Sequence, residues 1–361
     1  MKRLATAGTT DDMKIVRRFP RRIVLLFAVG LLAASVAAVM AVIALARGTA
    51  TPVGSGVVVI DTNLAYQDNA AAGTGMVLTS SGEVLTNNHV ISGATSIKVV
   101  VPKTGQSYKA RVLGYDRTAD VALLQLQGAS NLKTVSISSG NLPVGAAVTA
   151  LGNAGGDGKI TSATGTVTGL DKSITASDAG GASEQLTGLI ETDAGVQPGD
   201  SGGPLVNSQG RVVGMDTAAS QRFGFQNASA TDAYAIPIAK AVTVAHMISS
   251  GKASATVHIG PTAFLGVEVQ AAAPGLGNGG PAASAAGAMI ASVVSGGPAA
   301  SAGLAAGDVI TALGGHTVSS PSAIPALVLT KKPGAKVNVA YVDQSGTSQT
   351  ASVTLGSGPP Q

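Results

Sequence analysis

The residues best suited to chemistry lie in one short stretch, Pro198-Gly199-Asp200-Ser201-Gly202-Gly203-Pro204. A serine hydroxyl is a weak nucleophile. It becomes effective when a base takes its proton and backbone N–H groups receive the charge that develops on the attacked carbonyl oxygen. Glycines around Ser201 permit tight or left-handed backbone and let a substrate approach the main chain closely. The stretch can therefore offer Ser201 as nucleophile, with the N–H groups of Gly199 and Ser201 as oxyanion donors. A plain Gly/Pro turn between two strands has the same composition, so the assignment depends on partners elsewhere.

Two partners stand upstream, in Thr86-Asn87-Asn88-His89-Val90 and in Thr118-Ala119-Asp120-Val121-Ala122-Leu123-Leu124. Their order with Ser201, histidine then aspartate then serine, is that of a chymotrypsin-type triad. His89 is the candidate base. The chain has four histidines, and of these only His89 follows a strand-like run and opens a helical turn. His246 falls on an amphipathic helix, and His258 and His316 lie in or beside a later unit. Asp120 is the candidate that orients His89. It precedes an apolar run, where an unpaired carboxylate is costly. Asp116, next to Arg117, reads as a solvated turn residue, and Asp193 as a brace for the loop that carries Ser201.

The elements that must position these residues are short strands. Apolar or alternating segments occur at 57–60, 73–78, 83–86, 97–101, 108–114, 121–125, 147–151, 165–170, 189–192, 204–206 and 212–216. Turn signals separate them, often at intervals of roughly 8–15 residues, the pattern of a sandwich or barrel. The first helical periodicity is at Ile238–Ser249, with Ile238, Ala241, Val242, Ala245 and Ile248 on one face. Residues 249–262 read as a linker. A second unit follows at 263–357, with an Ala/Pro/Gly insertion at 271–287, a helix expected at 323–330 and closing strands at 336–342 and 350–355.

The N-terminal part is different. Residues 1–22 are basic, ending in Arg17-Arg18-Phe19-Pro20-Arg21-Arg22, and are expected to be a cytoplasmic tail. Residues 23–46 carry no charge. At about 1.5 Å per residue they give roughly 36 Å of helix, enough to cross a bilayer. The preceding arginines orient the rest of the chain outward, with 47–55 as a tether. The expectation is a single-pass membrane anchor with everything beyond it extracytoplasmic. Cleavage after Ala44-Leu45-Ala46, a small-x-small site, is the alternative, and it would release a secreted protein.

Composition excludes other classes. The chain has no cysteine, hence no disulfide, thiolate metal site or cysteine nucleophile. It has no HExxH pattern, so neither a metal nor another cofactor is expected. The net charge of +4 comes from lysines and arginines crowded before residue 23. No basic stripe with interleaved aromatics appears, so nucleic acid is not an expected partner.

Thr-Asn-Asn-His-Val, Ala-Asp-Val-Ala-Leu-Leu, Thr-Asp-Ala-x-x-Gln-Pro-Gly-Asp-Ser-Gly-Gly-Pro-Leu and a later Ala-Ile-Pro together resemble the HtrA/Deg family of bacterial envelope serine proteases. The likeness covers about residues 53–357. The second unit resembles that family's PDZ domain in Leu265-Gly266-Val267, in Pro298-Ala299-Ala300-Ser301-Ala302-Gly303-Leu304 and in Gly307-Asp308-Val309-Ile310. The resemblance implies a mainly β protein. A chymotrypsin-like double antiparallel β-barrel at 56–248 would be followed by a small α+β PDZ domain. It also implies a serine endopeptidase acting on unfolded or misfolded proteins, and a homotrimer. The triad would be His89, Asp120 and Ser201, with Gly199 and Ser201 as the oxyanion hole. A rival from another class is a holdase chaperone or PDZ scaffold with little proteolysis.

One position departs from the family. Many members have asparagine before the serine, whereas this chain has Asp200, and no activation sequence is evident that would supply an N-terminus to pair with it. Six residues before Ser201, where trypsin-like enzymes place an aspartate, stands Gly195. Tyr234-Ala235-Ile236 resembles the family's pocket wall, and Val196 is the expected floor. An apolar pocket of modest size would favour Val, Leu, Ile, Ala or Met, although these residues could equally pack the barrel. In the PDZ-like unit, Phe264-Leu265-Gly266-Val267 could offer N–H groups to a peptide C-terminal carboxylate while the peptide adds a strand to a sheet edge. Asp308 reads as a turn residue. Because 249–262 reads as loose, the second unit is expected to act by tethering substrates rather than by switching the first.

Overall fold

The computed structural model describes residues 54–177, 183–219, 232–272 and 286–361. The tail 1–22, the apolar segment 23–46, most of the tether and most of the 271–287 insertion lie outside them. Among the described residues no helix is long and apolar enough to cross a membrane.

Six strands form the first barrel. They are β1 (Val57–Leu64), β2 (Asn69–Val77), β3 (Glu83–Thr86), β4 (Ser96–Val101), β5 (Gln106–Asp116) and β6 (Val121–Leu126). They pair in the order β5-β4-β1-β2-β3-β6, and β6 returns to β5 to close the ring. A short helix, α1 (Asn88–Ile91), follows β3. The second barrel holds β7 (Ala147–Gly152), β8 (Thr161–Ser177), β9 (Ser183–Thr192), β10 (Pro204–Asn207), β11 (Val212–Ala219) and β12 (Ala233–Pro237). It closes in the order β10-β11-β12-β9-β8-β7.

The continuous apolar runs have a simple cause. Side chains alternate between the two faces of a strand, and here both faces are buried. Val58, Ile60, Val99 and Leu124 fill the first barrel. Their strand neighbours Val57 and Leu123 turn instead to a shared core that also takes Leu151, Met215 and Ile236 from the second barrel. Val148, Val167, Ile190 and Leu205 fill the second. Each such leucine or isoleucine contributes roughly 1.5–3 kcal/mol on burial, so strand register and barrel pairing are fixed together. The helix α2 (Ile238–Ser249) has the expected bounds and follows Pro237 directly. It buries Ile238, Ala241, Val244, Ala245 and Ile248, while Val242 is only partly covered.

The stretch 249–262 is not a linker. Residues β13 (Val257–Ile259) pair with Gly114–Asp116 of β5, adding a strand to the first barrel's sheet. The Tyr115 hydroxyl lies 3.2 Å from the Thr262 hydroxyl. Val257 and Ile259 bring enough apolar surface to dock the segment, which outweighs its Ser- and Gly-rich flanks.

The second unit contains β14 (Thr262–Phe264), β15 (Val267–Ala271), β16 (Ala288–Val293), helix α3 (Pro298–Ser301), β17 (Val309–Leu313), β18 (His316–Thr317), helix α4 (Ala323–Leu329), β19 (Lys336–Val342), β20 (Ser348–Thr354) and β21 (Gly356–Gly358). Its sheet runs β15-β16-β17-β19-β20, with β18 on β17, so β15 is an edge strand. Strand β14 pairs instead with β21.

Candidate active site

His89 sits in α1, one turn beyond the end of β3. Its backbone N–H donates to Asp120 Oδ1 at 3.0 Å, and its Nδ1 lies 2.9 Å from Asp120 Oδ2. Asp120 thus grips both the main chain and the ring of the same residue. It can do so because it adopts a left-handed backbone, φ 52°, which aspartate tolerates better than most residues. The turn is closed by the Asp120 N–H to the Arg117 carbonyl, and the Asn87 side-chain amide donates to the Asp120 carbonyl. A carboxylate facing Nδ1 fixes that nitrogen as the protonated one, leaving Nε2 as the base. The Asp120 side chain is 6% exposed and that of His89 38%, so the acid is enclosed while the ring still meets solvent.

Thr217 completes this set. Its hydroxyl donates to Asp120 Oδ2 in a short hydrogen bond, and its carbonyl accepts from Ser201 Oγ at 3.4 Å. One residue at the end of β11 thereby touches both the carboxylate and the serine. The apolar run at 212–216 marked the strand but not this threonine just beyond it.

The loop carrying Ser201 is stapled across the two barrels. Gly199 has φ 98°, and a Cβ there would collide with the Asn153 carbonyl, so glycine is required. The Gly199 carbonyl accepts from the Thr74 hydroxyl at 2.7 Å, and the Ser201 carbonyl accepts the Thr74 N–H at 2.9 Å. The Thr74 hydroxyl in turn accepts the Asn153 N–H. Nothing in the sequence marked Thr74, a strand residue of β2, as part of the site. Among the described residues, neither the Gly199 nor the Ser201 N–H donates to a backbone carbonyl.

The rival aspartates have other tasks. Asp193 accepts the Thr166 N–H and hydroxyl, bracing its loop against β8. Asp116 is buried, not solvated. It accepts from Ala119 N–H and the Thr118 and Thr256 hydroxyls, and so shapes the turn that presents Asp120. Asp308 is buried and caps a turn through the Ala305 N–H.

The residues expected to line a pocket lie in the cores. Val196 and Ala235 pack inside the second barrel, and Ile236 and Tyr234 pack between the barrels. The Tyr234 hydroxyl donates to Glu191, and burial together with that carboxylate pushes its pKa up to about 12. At Gly195, by contrast, an added Cβ would meet only open space. Residues 220–231, next to the end of β11, lie outside the described residues.

In the second unit, Phe264 pairs through β14 with Gly356, and its ring stacks on Tyr66 of the first barrel at 5.2 Å. Leu265 is buried, and Gly266 has φ 81°. Their carbonyls are taken by Ala299 and Val294 N–H groups, whereas among the described residues their own N–H groups donate to no backbone carbonyl. Val267 then opens the free edge of β15. Beyond β21 the chain reaches α1: Gly93 N–H donates to the Pro360 carbonyl at 2.8 Å, and Asn88 Nδ2 to that of Gln361 at 3.2 Å.

Comparison with known proteins places two domain families on the chain. Residues 73–215, which include His89, Asp120 and Ser201, match the family of trypsin-like peptidase domains, and residues 263–355 match the PDZ domain family. The chain is 35% identical over 316 residues to the serine protease PepD of Mycobacterium tuberculosis, covering 83% of this chain and 63% of that protein. It is 36% identical over 290 residues to a probable periplasmic serine endoprotease, DegP-like, of Pseudomonas fulva, covering 80% and 56%. The chain therefore spans less than two thirds of the length of either relative. A solved structure of the HtrA-type protease AlgW with a tripeptide is 28% identical and covers 85% of this chain and 95% of its own, with a TM-score of 0.46.

Proposed function

Starting from a chain that is a trypsin-like peptidase domain followed by one PDZ domain, homologous to serine proteases named PepD and DegP-like, we propose that it is a serine endopeptidase of unfolded or misfolded proteins outside the cytoplasmic membrane. The observation that carries this reading is the Asp120 carboxylate. It holds His89 by ring and backbone while Thr217 ties it to Ser201.

In this reading Ser201 Oγ attacks the scissile carbonyl and His89 Nε2 takes its proton. Asp120 keeps the ring in the required tautomer and offsets the imidazolium charge. The oxyanion is received by the Gly199 and Ser201 N–H groups. His89 returns the proton to the leaving amine, and a water activated by His89 then frees the acyl group. Open space at Gly195, with no acid there, suits a small apolar side chain at the cleaved position. A peptide C-terminus adds to the β15 edge, its carboxylate held at Phe264–Val267. The segment 23–46 anchors the protein in the membrane, and the working form is a trimer.

The test is hydrolysis of casein by the wild type and by Ser201→Ala. Loss of cleavage, with a fluorophosphonate labelling Ser201 alone, is expected. An active Ser201→Ala protein, or labelling elsewhere, sinks the reading. A holdase or scaffold is not favoured, because such a protein would not need this set of hydrogen bonds.

A further inference from the structure

Two of the buried carboxylates outside the hydrolytic steps lie beside Ser201 and, unlike Asp116 and Asp308, leave buried oxygens without a donor. Asp200 is 4% exposed and Asp216 is 0%. Asp200 Oδ2 accepts the Gln197 N–H at 2.8 Å, but its Oδ1 and both oxygens of Asp216 have no hydrogen-bond partner. Main-chain bonds hold the two residues on facing segments. Gly202 N–H donates to the Asp216 carbonyl, Asp216 N–H to the Gly203 carbonyl, and Gly203 N–H to the Asp200 carbonyl, each at 2.8 Å. Gly152 closes the space around Asp200, since a Cβ there would collide with the Asp200 carboxylate.

An ionised carboxylate buried with too few donors is disfavoured, and a second one close enough to act on it makes this worse. Burial raises the pKa of Asp200. Burial, and then the charge of Asp200, raise that of Asp216 well above its ordinary value. No basic side chain is among the groups that act on either. Among the described residues the neighbouring elements supply none that would. Opposite Asp216 on β12 stands Ala235, and Tyr234 beside it is bonded to Glu191. Strand β7 offers Gly152, and β10 begins with Pro204 and Leu205. Through Thr217, next in the chain, the titratable groups reached among the described residues are Asp120 and, beyond it, His89.

We propose that Asp216 is a neutral carboxylic acid in the working enzyme, and that it donates its proton as a hydrogen bond to Oδ1 of Asp200. The pair then carries one charge, steadied by the Gln197 N–H, and this fixes the backbone of Gly199 to Ser201 with its two N–H groups outward. Asp216 is a positioning residue acting through Asp200, and this inference rests on the proteolytic reading of Ser201. It answers the question raised by aspartate at position 200: its partner is a second acid supplied with a proton, not an amino terminus. When the shared proton leaves to solvent at alkaline pH, two like charges remain enclosed and the loop is driven from its place.

The test uses the full chain and a short chromogenic substrate. The wild type should show an alkaline fall in kcat/KM. Asp216→Asn, which keeps a donor but cannot ionise, should move that limb up by about one pH unit or more. Asp216→Leu removes the donor and should lower kcat at neutral pH on the order of 100-fold, as expected when oxyanion donors are displaced. Asp216→Asn should exceed it by about tenfold or more. An Asp216→Asn profile that superimposes on the wild type, or equal activity of the two variants, overturns the proposal. Infrared spectra of the wild type serve if the leucine variant fails to fold. They should show a protonated-carboxyl C=O band at neutral pH that is lost in alkali, and its absence also overturns the proposal. If the wild type cleaves nothing and fluorophosphonate leaves Ser201 unlabelled, it is the proteolytic reading that has failed, and the infrared band still reports on the pair.

Discussion

Thr217 hydrogen-bonds to Asp120 across 97 residues of sequence, from the second barrel to the first. The bond uses the carboxylate oxygen that also faces His89 Nδ1. Without it, that oxygen would have only the imidazole to fix its position. Thr217→Val should therefore lower kcat by about tenfold with little change in KM, and Thr217→Ser should restore most of it. Steady-state kinetics on a short substrate check both.

Asp120→Asn keeps a residue that tolerates the left-handed backbone at φ 52°, so folding should survive. The amide cannot hold His89 in the same tautomer, and kcat should fall on the order of ten-thousandfold. Asp120→Val should instead lose thermal stability as well, because a β-branched residue is strained at that φ. Melting curves beside activity separate the two effects.

Much of this site was legible in the sequence because its residues are carried by local chemistry. Gly-Asp-Ser-Gly-Gly needs its glycines for backbone reasons, and His89 and Asp120 each stand where a strand meets a turn. Thr217 and Thr74 were not legible. Their roles exist only across the gap between the barrels, and a threonine in a strand has an ordinary explanation. The expected pocket residues illustrate the opposite case. Apolar side chains at 196 and 234–236 suit a pocket or a core equally in sequence, and in the fold they pack in the cores. The segment 249–262 was misread because composition reports chain stiffness, whereas Val257 and Ile259 add a strand through a few apolar contacts.

Stability should fall towards acid because of His258. Its Nε2 is buried without a partner, its ring packs on Tyr115 at 5.0 Å, and burial lowers its pKa. Below the ordinary histidine value of 6.5 the unfolded chain takes up a proton that the folded chain refuses. Stability is then lost as pH falls from there to the lower folded value. His258→Phe should flatten that slope in urea unfolding. Asp216 acts in the opposite sense. Its folded pKa lies above the ordinary 3.8, so its contribution is complete below that value and is lost as pH rises through the folded one.

Docking of 249–262 changes what the PDZ domain is expected to do. Phe264 stacks on Tyr66, and residues 360 and 361 accept bonds from Gly93 and Asn88, the latter the neighbour of His89. Pure tethering needs a loose connection, and this one is pinned at several points. A peptide with a free apolar C-terminus, added in trans, should therefore change turnover of a short chromogenic substrate, which tethering alone would leave untouched. Amidating the peptide should abolish the effect. An unchanged response would show that Phe264–Val267 does not read the carboxylate.

The division of the site between barrels also sets when it can exist. His89 and Asp120 are complete once the first barrel's strands have been synthesised, but Ser201, Thr217 and the closing strand β12 come later, the last ending at Pro237. A nascent chain that stops before residue 201 holds a base and an acid with nothing to activate, and one that stops before Pro237 holds Ser201 without its closed second barrel. On the proposed reading, cleavage activity should arrive late in synthesis, when the second ring shuts. A chain threaded unfolded through a membrane would cross it inert.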